Sequence, residues 1–170
     1  MVGTTVYTQY DVDYLPQPNL IDLVLSTDQA PAHLTRTAFM VPVTPQGVIL
    51  ANNRRRGVEI PGGHVEPGET LAGAAWRETL EETGCYADLA YPIGYLRMVS
   101  EALVPLDWPY PHPISYQQFF AGRIHAREAY APNDECLAPV TVLRDAVAQL
   151  EKPTTRYFVE AALRRISARP

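Results

Sequence analysis

Apolar and β-branched residues in the first third of the chain occur in short runs that are typical of strands. Residues 35–43 form such a run, residues 44–47 contain Pro and Gly, and residues 48–50 are apolar again. Two β-rich runs separated by a short Pro and Gly segment predict a hairpin of two strands joined by a tight turn. Farther upstream, residues 21–25 predict one more strand.

The pattern changes from strand to helix after the double glycine at Gly62 and Gly63. A short strand ends at this turn, and good helix formers follow over residues 70–83 until Gly84 stops the helix. Farther downstream, the pattern predicts strands over residues 93–99 and 116–124, a helix over 143–150, a break at Pro153 and an amphipathic helix over 155–167. Strands and helices together predict a mixed α/β fold.

Length and composition predict one principal domain. The 170 residues suffice for one sizeable core, and we interpret residues 1–32 as an N-terminal extension packed on a domain over residues 33–170. The sequence shows no apolar run long enough to cross a bilayer and no signal-peptide order, so we expect a soluble cytoplasmic protein with no membrane partner. Cys85 and Cys136 have neither disulfide-framework nor zinc spacing, and we interpret them as small buried residues.

The negative charge of the chain is concentrated in one segment. Residues 59–88 contain seven acidic residues and one basic residue, Arg77, which leaves the rest of the chain at +1 out of a total of −5. A protein that wraps nucleic acid needs a basic face, so the distribution argues against polymeric DNA or RNA as the main partner.

Three of these acids crowd one side of the predicted helix. Glu78, Glu81 and Glu82 fall within an arc of about 100°, because successive helical residues are about 100° apart. Carboxylates this close repel one another, and the chain's single lysine, Lys152, is far away in sequence. A hard cation such as Mg²⁺ would neutralise them through oxygen ligands. The alternative is a solvated helix surface, which most charged helical stretches are.

The glycine turn supports the metal interpretation. Gly62 and Gly63 permit backbone conformations and close approaches that other residues exclude. We therefore expect Gly62 to add a backbone metal ligand, and the backbone at Gly63 to approach a bound phosphate closely.

Residues 63–85 resemble the signature of the Nudix hydrolase family, which includes MutT-like enzymes. The fixed positions of that signature are all present, without a gap, as Gly63, Glu69, Arg77, Glu78, Glu81, Glu82 and Gly84. Thr79 and Cys85 depart from the signature, since they occupy positions where the family has bulky apolar residues. The resemblance implies an α/β/α sandwich with a mixed β-sheet, and a requirement for Mg²⁺ with Mn²⁺ as a substitute.

The resemblance also implies roles for individual side chains. Glu78, Glu81 and Glu82 would hold the divalent ions, Glu69 would support the metal site, and Arg77 would fix the carboxylates in place. The group that accepts the proton of the attacking water stays open in the family, because it comes from the signature or from a later loop.

The sequence offers candidates for the general base, for phosphate binding and for stacking on a base. The general base is therefore one of four glutamates, Glu81, Glu82, Glu128 and Glu135, and for the last two an ordinary loop acid is the favoured interpretation. Arg54 and Arg56 lie just before the glycine turn, where they can reach substrate phosphate or simply be solvated. Most aromatic residues between positions 91 and 120 are expected in the core, and some can stack on a base. Neither His64 nor His112 is assigned a catalytic role.

The functional prediction is hydrolysis of a diphosphate linkage in a nucleoside diphosphate joined to another group. The first expectation is a nucleoside triphosphate, including an oxidised one. The alternatives are a nucleotide-sugar or dinucleoside-polyphosphate pyrophosphatase, and a Nudix domain that senses a nucleotide without cleaving it. The partner is then a small-molecule nucleotide, and a homodimer is a further expectation from the family.

Overall fold

The computed structural model describes residues 3–104 and 106–168, which contain nine strands and two α-helices. The strands are β1 Thr4–Tyr10, β2 Asn19–Leu25, β3 Thr35–Val43, β4 Gly47–Asn53, β5 Gly57–Glu59, β6 Gly62–His64, β7 Cys85–Ser100, β8 Ile114–Arg127 and β9 Cys136–Leu143. The α-helices are α1 Leu71–Thr83 and α2 Pro153–Ser167, and short 3₁₀ helices cover Ala32–Leu34 and Arg144–Gln149.

The strands form one mixed sheet. Its order is β1-β2-β7-β8-β3-β4-β5, with β6 paired to β3 and β9 paired to β4. The β3–β8 pair is parallel and the other pairs are antiparallel. The predicted hairpin is correct in its two strands and its turn, but β3 and β4 pair only at Val43 and Val48. They diverge beyond the turn because β8 and β6 occupy the two edges of β3.

Alternating residues of β3 face two different cores. Ala38 and Met40 pack with Phe120 against α1, while Val41 packs in the larger core that contains Phe158 of α2. All five are fully buried, since their exposed fractions are 0%. The sheet therefore lies between the two helices, which confirms the predicted α/β/α sandwich with a mixed sheet.

Helix α1 has well-defined caps at both ends. The Thr70 hydroxyl accepts a hydrogen bond from the Gly73 N–H at 3.0 Å, and Gly84 ends the helix in the left-handed conformation at φ 66°. Thr79, which departs from the family signature, is fully buried, and its hydroxyl donates to the Ala75 carbonyl at 2.7 Å. Its polar group is thus satisfied inside the core.

The N-terminal segment contains two strands where the pattern predicted one. β2 pairs with β7 from Asn19–Ser100 to Leu25–Gly94, and β1 pairs with the outer edge of β2. β1 escaped prediction because it is an edge strand whose residues are exposed or only partly buried. A boundary near residue 32 stays a prediction.

The C-terminal third differs from the prediction in three respects. β9 was missed because its mostly exposed sequence lacks a buried alternating pattern. The helix predicted over 143–150 is wrong as an α-helix. Leu143 is the last residue of β9, and Arg144–Gln149 form a short 3₁₀ helix. Pro153 does not break a helix but begins α2, where a missing N–H costs nothing. Within the described residues, neither helix is long and apolar enough to cross a membrane.

Candidate active site

Arg77 on α1 joins the carboxylates to the glycine turn. Its Nε and Nη2 atoms donate to the Glu69 carboxylate at 3.2 and 3.1 Å, and Nη2 also donates to the His64 carbonyl at 2.9 Å. Its Nη1 atom donates to Glu78 at 2.9 Å and to Glu81 at 3.3 Å. The hydrogen bond from Arg77 lowers the pKa of Glu69, so this arginine and its three glutamates form a charged network.

The double glycine lets two carboxylates approach the backbone closely. The Gly62 N–H donates to the Glu82 carboxylate at 2.9 Å. A Cβ on Gly63 would overlap the Glu78 carboxylate, and a Cβ on Gly62 would overlap the Phe39 ring. At Gly62 a Cβ would also meet the Ala38 carbonyl, so only glycine fits there, whereas at Gly63 the end of the Glu78 side chain would have to move aside. That the Gly62 carbonyl binds a metal stays a prediction.

Glu82 is the most deeply buried of the acids on α1. Its exposed fraction is 8%, and this burial raises the pKa of its carboxyl to about 7. The Cys136 thiol donates to the other Glu82 oxygen at 3.6 Å, and burial, followed by the Glu82 charge, raises the pKa of that thiol to about 11. Burial also raises the pKa of Glu78, although Arg77 opposes this effect.

The partly buried Glu78 and the buried Glu82 suit a divalent cation. Glu78 and Glu82 both line one cavity, and within the described residues Glu82 forms no ion pair, because Arg77 contacts the other glutamates instead. Among those residues no three His, Cys, Asp or Glu side chains already converge on one point. Carboxylate oxygens are nevertheless the ligands that Mg²⁺ prefers, and a cation would remove the cost of charging Glu82. The donor set therefore fits a hard divalent ion.

Glu78 and Glu82 lie in a cavity of about 780 Å³, large enough for a nucleotide. Other polar groups that line it include Arg56, Glu59, His64, Arg77, Gln117, Glu135, Lys152, Thr154 and Thr155. Its aromatic lining residues are Tyr14, Phe39, Tyr110 and Phe119. The cavity thus combines carboxylates, cationic groups and aromatic faces.

The structure distinguishes Glu128 from Glu135, which are two of the four glutamates predicted as candidates for the general base. Glu135 lines the cavity, and one of its oxygens lies 3.7 Å from Nη2 of Arg56. Glu128 instead accepts a hydrogen bond from the Tyr86 hydroxyl at 2.9 Å and is not among the residues that line the cavity. Glu81, whose side chain is 55% exposed and pairs with Arg77, is also not among the residues that line the cavity.

The two arginines predicted to bind phosphate, Arg54 and Arg56, also differ in whether they line the cavity. Arg56 lines the cavity and donates from Nε to Glu59 at 2.7 Å. Arg54 donates from Nε to the Asn133 carbonyl at 2.9 Å and does not line the cavity.

Some cavity residues were missed by the sequence analysis. His64 and Tyr110 form a pair in which Nε2 and the hydroxyl are 3.0 Å apart, and their ring centroids are 5.8 Å apart. Lys152 donates to the Arg56 carbonyl at 2.6 Å, which connects the start of α2 to the β4–β5 turn. Tyr110 was only one of several aromatic residues between positions 91 and 120 that could stack on a base, and no local signal marks Lys152, because only the tertiary fold brings their segments to the glycine turn.

Comparison with known proteins identifies the family. The family model described as the NUDIX domain matches residues 33–160. A putative 8-oxo-dGTP diphosphatase from Bacillus subtilis is 42% identical over 62 residues, a match that covers 35% of this chain and only 42% of that protein.

Solved structures share the fold. The Bacillus subtilis pyrophosphohydrolase BsRppH, solved as a single-residue mutant, has a TM-score of 0.62 at 21% identity, covering 96% of this chain and 94% of its own. A structure described as an ADP compounds hydrolase has a TM-score of 0.53 at 15% identity, and the match covers 99% of this chain and 96% of that structure's chain. These identities support the fold alone, whereas the NUDIX model matches most of the chain and thereby confirms what the signature predicted. The chain belongs to the Nudix hydrolase family.

Proposed function

We propose that this protein hydrolyses a diphosphate linkage in a nucleoside diphosphate joined to another group, with Mg²⁺, or Mn²⁺ in its place, held by the α1 carboxylates. One observation carries the proposal: the partly buried Glu78 and the buried Glu82 line a nucleotide-sized cavity, and Arg77 forms an ion pair with Glu78 but none with Glu82. A charge buried without a partner is costly, so a cation with a phosphate ligand is the natural complement.

The proposal assigns the glutamates of α1 to metal binding and Arg77 to their orientation. Glu78 and Glu82 would hold the divalent ion, with Glu81 and the Gly62 carbonyl as further ligands. Such an ion, when bound, would supply positive charge to the diphosphate oxygens and Lewis-acid activation of the attacking water. Arg77 orients Glu78 and Glu81 through hydrogen bonds of 2.9 and 3.3 Å.

Two residues are positioned to accept the proton of the attacking water. Glu135 lines the cavity with an exposed side chain, and Glu82 has a pKa near neutrality, where a general base is most effective. Because Glu82 would also be a metal ligand, Glu135 is the better candidate for the base. The cationic groups of Arg56 and Lys152 would contact the phosphates that are not attacked.

The names of the similar proteins favour a nucleotide substrate with a phosphoanhydride. They include a putative 8-oxo-dGTP diphosphatase, a pyrophosphohydrolase and an ADP compounds hydrolase. The diphosphatase shares the highest sequence identity of the three, so a nucleoside triphosphate, normal or oxidised, is the first substrate to test.

A substrate panel tests the proposal directly. Purified protein with Mg²⁺ is incubated with nucleoside triphosphates, oxidised triphosphates, nucleotide sugars and dinucleoside polyphosphates, and the products are identified by mass spectrometry. We expect turnover of at least one class, and a loss of about 100-fold or more in Glu82→Gln. Glu128→Gln is the matched control, since Glu128 lies outside the cavity lining. Binding without turnover across the panel would instead favour a nucleotide sensor.

A further inference from the structure

A second cavity, of about 460 Å³, lies beside the last turns of α2. Its walls come from the beginning of β1, the end of β2, the middle of β7 and the α2 residues Ala161, Arg164 and Arg165. Within the described residues it shares no lining residue with the cavity around Glu78 and Glu82. Thr155 lines that first cavity and Arg165 the second, and about 15 Å of helix separates their backbones.

The charge of this second cavity is opposite to that of the chain. The described residues that line it include two arginines and no acid, although the chain has a net charge of −5. Arg164 is 63% exposed and pairs with Glu160 at 3.7 Å. The Arg165 guanidinium forms no ion pair with any described residue, so its charge is available to a ligand.

The Arg165 guanidinium is held in place although no acceptor binds it. Its Cζ atom lies 5.6 Å from the centroid of the Tyr91 ring, and its Nε atom is buried without a hydrogen-bond partner among the described residues. Stacking on an aromatic ring fixes the plane of a guanidinium and leaves its outer edge to bind an oxyanion bidentately. A fixed side chain also loses less entropy when a ligand binds.

The rest of the wall indicates what kind of anion fits. Leu25, Pro92, Ile93 and Ala161 present apolar surface, while Thr4 and Thr27 add hydroxyl groups. Mixed apolar and hydroxyl walls around a cation suit a small organic molecule better than a bare inorganic ion. We propose that this cavity binds a small organic oxyanion, a phosphate monoester or a carboxylate, through the guanidinium of Arg165.

Arginine side-chain NMR tests this assignment at the residue itself. The ¹⁵N-labelled protein is kept in a chelator, so that metal-dependent hydrolysis plays no part, and inorganic phosphate, AMP and butyrate are titrated against equal concentrations of chloride. We expect a saturable shift of the Arg165 Nε–H signal, with tighter binding of AMP or butyrate than of inorganic phosphate. In the variants that lack this signal, the affinity is read from the backbone amide of Ile93, which lines the same cavity. Arg165→Gln should weaken binding by about tenfold, and Arg165→Lys by less, because lysine keeps the charge but loses the bidentate geometry of the guanidinium.

A matched control comes from the same helix. Arg156 also stacks on a tyrosine, with Cζ 5.8 Å from the Tyr157 centroid, but it does not line this cavity. Arg156→Gln should therefore leave the Arg165 shift and its affinity unchanged. The proposal is overturned if none of the three anions shifts Arg165 more than chloride does, or if the affinity survives in Arg165→Gln. An equal loss of affinity in Arg156→Gln would likewise place the binding elsewhere.

Discussion

Replacing Glu82 by glutamine should stabilise the metal-free protein at the pH where the enzyme would work. Glu82 is 8% exposed, its carboxylate accepts a hydrogen bond from the Gly62 N–H, and it forms no ion pair within the described residues. Glutamine has nearly the same shape and can still accept that hydrogen bond, but it carries no charge, and its amide N–H group would donate toward the Cys136 sulfur instead of accepting from the thiol. The substitution therefore removes the cost of burying the charge in exchange for one weak thiol hydrogen bond.

The size of the effect follows from the pKa of Glu82. Burial raises this pKa from the ordinary 4.5 to about 7, which corresponds to about 3 kcal/mol of unfolding free energy. A raised pKa means that the folded state holds the proton more tightly than the unfolded state does. This contribution to stability is fully present below about pH 4.5 and is lost as the pH rises through about 7. Glutamine has no such dependence.

Urea unfolding of both proteins in a chelator measures the difference. At about pH 8 we expect Glu82→Gln to be more stable by up to about 3 kcal/mol, or roughly 5–10 °C in Tm for a chain of this size. At about pH 4.5 the two proteins should be equally stable, because Glu82 is then largely protonated. The subtraction cancels the titration of Glu69 and Glu78, which both proteins share.

Two controls make the test specific to burial and to metal binding. Glu81→Gln removes a charge that is 55% exposed and paired with Arg77, so it should bring no gain in stability. Added Mg²⁺ should stabilise the wild type at about pH 8 and have much less effect on Glu82→Gln. The reasoning is refuted if Glu82→Gln is less stable than the wild type at about pH 8 in chelator, or if the difference does not change with pH.

Three further substitutions test other parts of the structure. Arg77→Lys loses the forked contacts to Glu69, so kcat should fall by about 100-fold while circular dichroism stays that of the wild type; an active variant would contradict the role of the network. Gly63→Ala places a Cβ against the Glu78 carboxylate, so the Mg²⁺ concentration for half-maximal activity should rise by about tenfold, and an unchanged titration would count against Glu78 as a ligand. Phe158→Ala empties a fully buried site and should cost about 3–5 kcal/mol in urea unfolding, whereas a cost below about 1 kcal/mol would mean that the core collapses around it.

The sequence was sufficient to predict the parts of the fold that depend on local chemistry. Helix α1 was predicted from its glycine stop and its helix formers, and its end at Thr83 agrees with the left-handed Gly84. Gly63 was also expected to allow a close approach, but of a bound phosphate, whereas the group that lies against it is the Glu78 carboxylate on α1. The helix and its caps are set within a few residues, where propensity and geometry agree.

Features that depend on distant segments escaped prediction. Residues 136–143 form the strand β9 because they pair with an edge of β4, and this pairing runs from Gly47–Leu143 to Asn53–Cys136. The same pairing carries Glu135 into the cavity, since Glu135 directly precedes β9. Glu128 and Glu135 were equivalent in sequence, and only the tertiary fold distinguishes them.

The network around Arg77 explains why Glu82, rather than any other acid on α1, marks the site. One guanidinium has five N–H donors, and those of Arg77 contact Glu69, Glu78, Glu81 and a carbonyl, which leaves none for Glu82. A fold optimised for stability alone would replace that buried carboxylate by a neutral residue. Its presence in a capped helix therefore supports the proposal that a compensating partner binds beside it in the working enzyme, and a divalent cation is the partner that carboxylate oxygens suit.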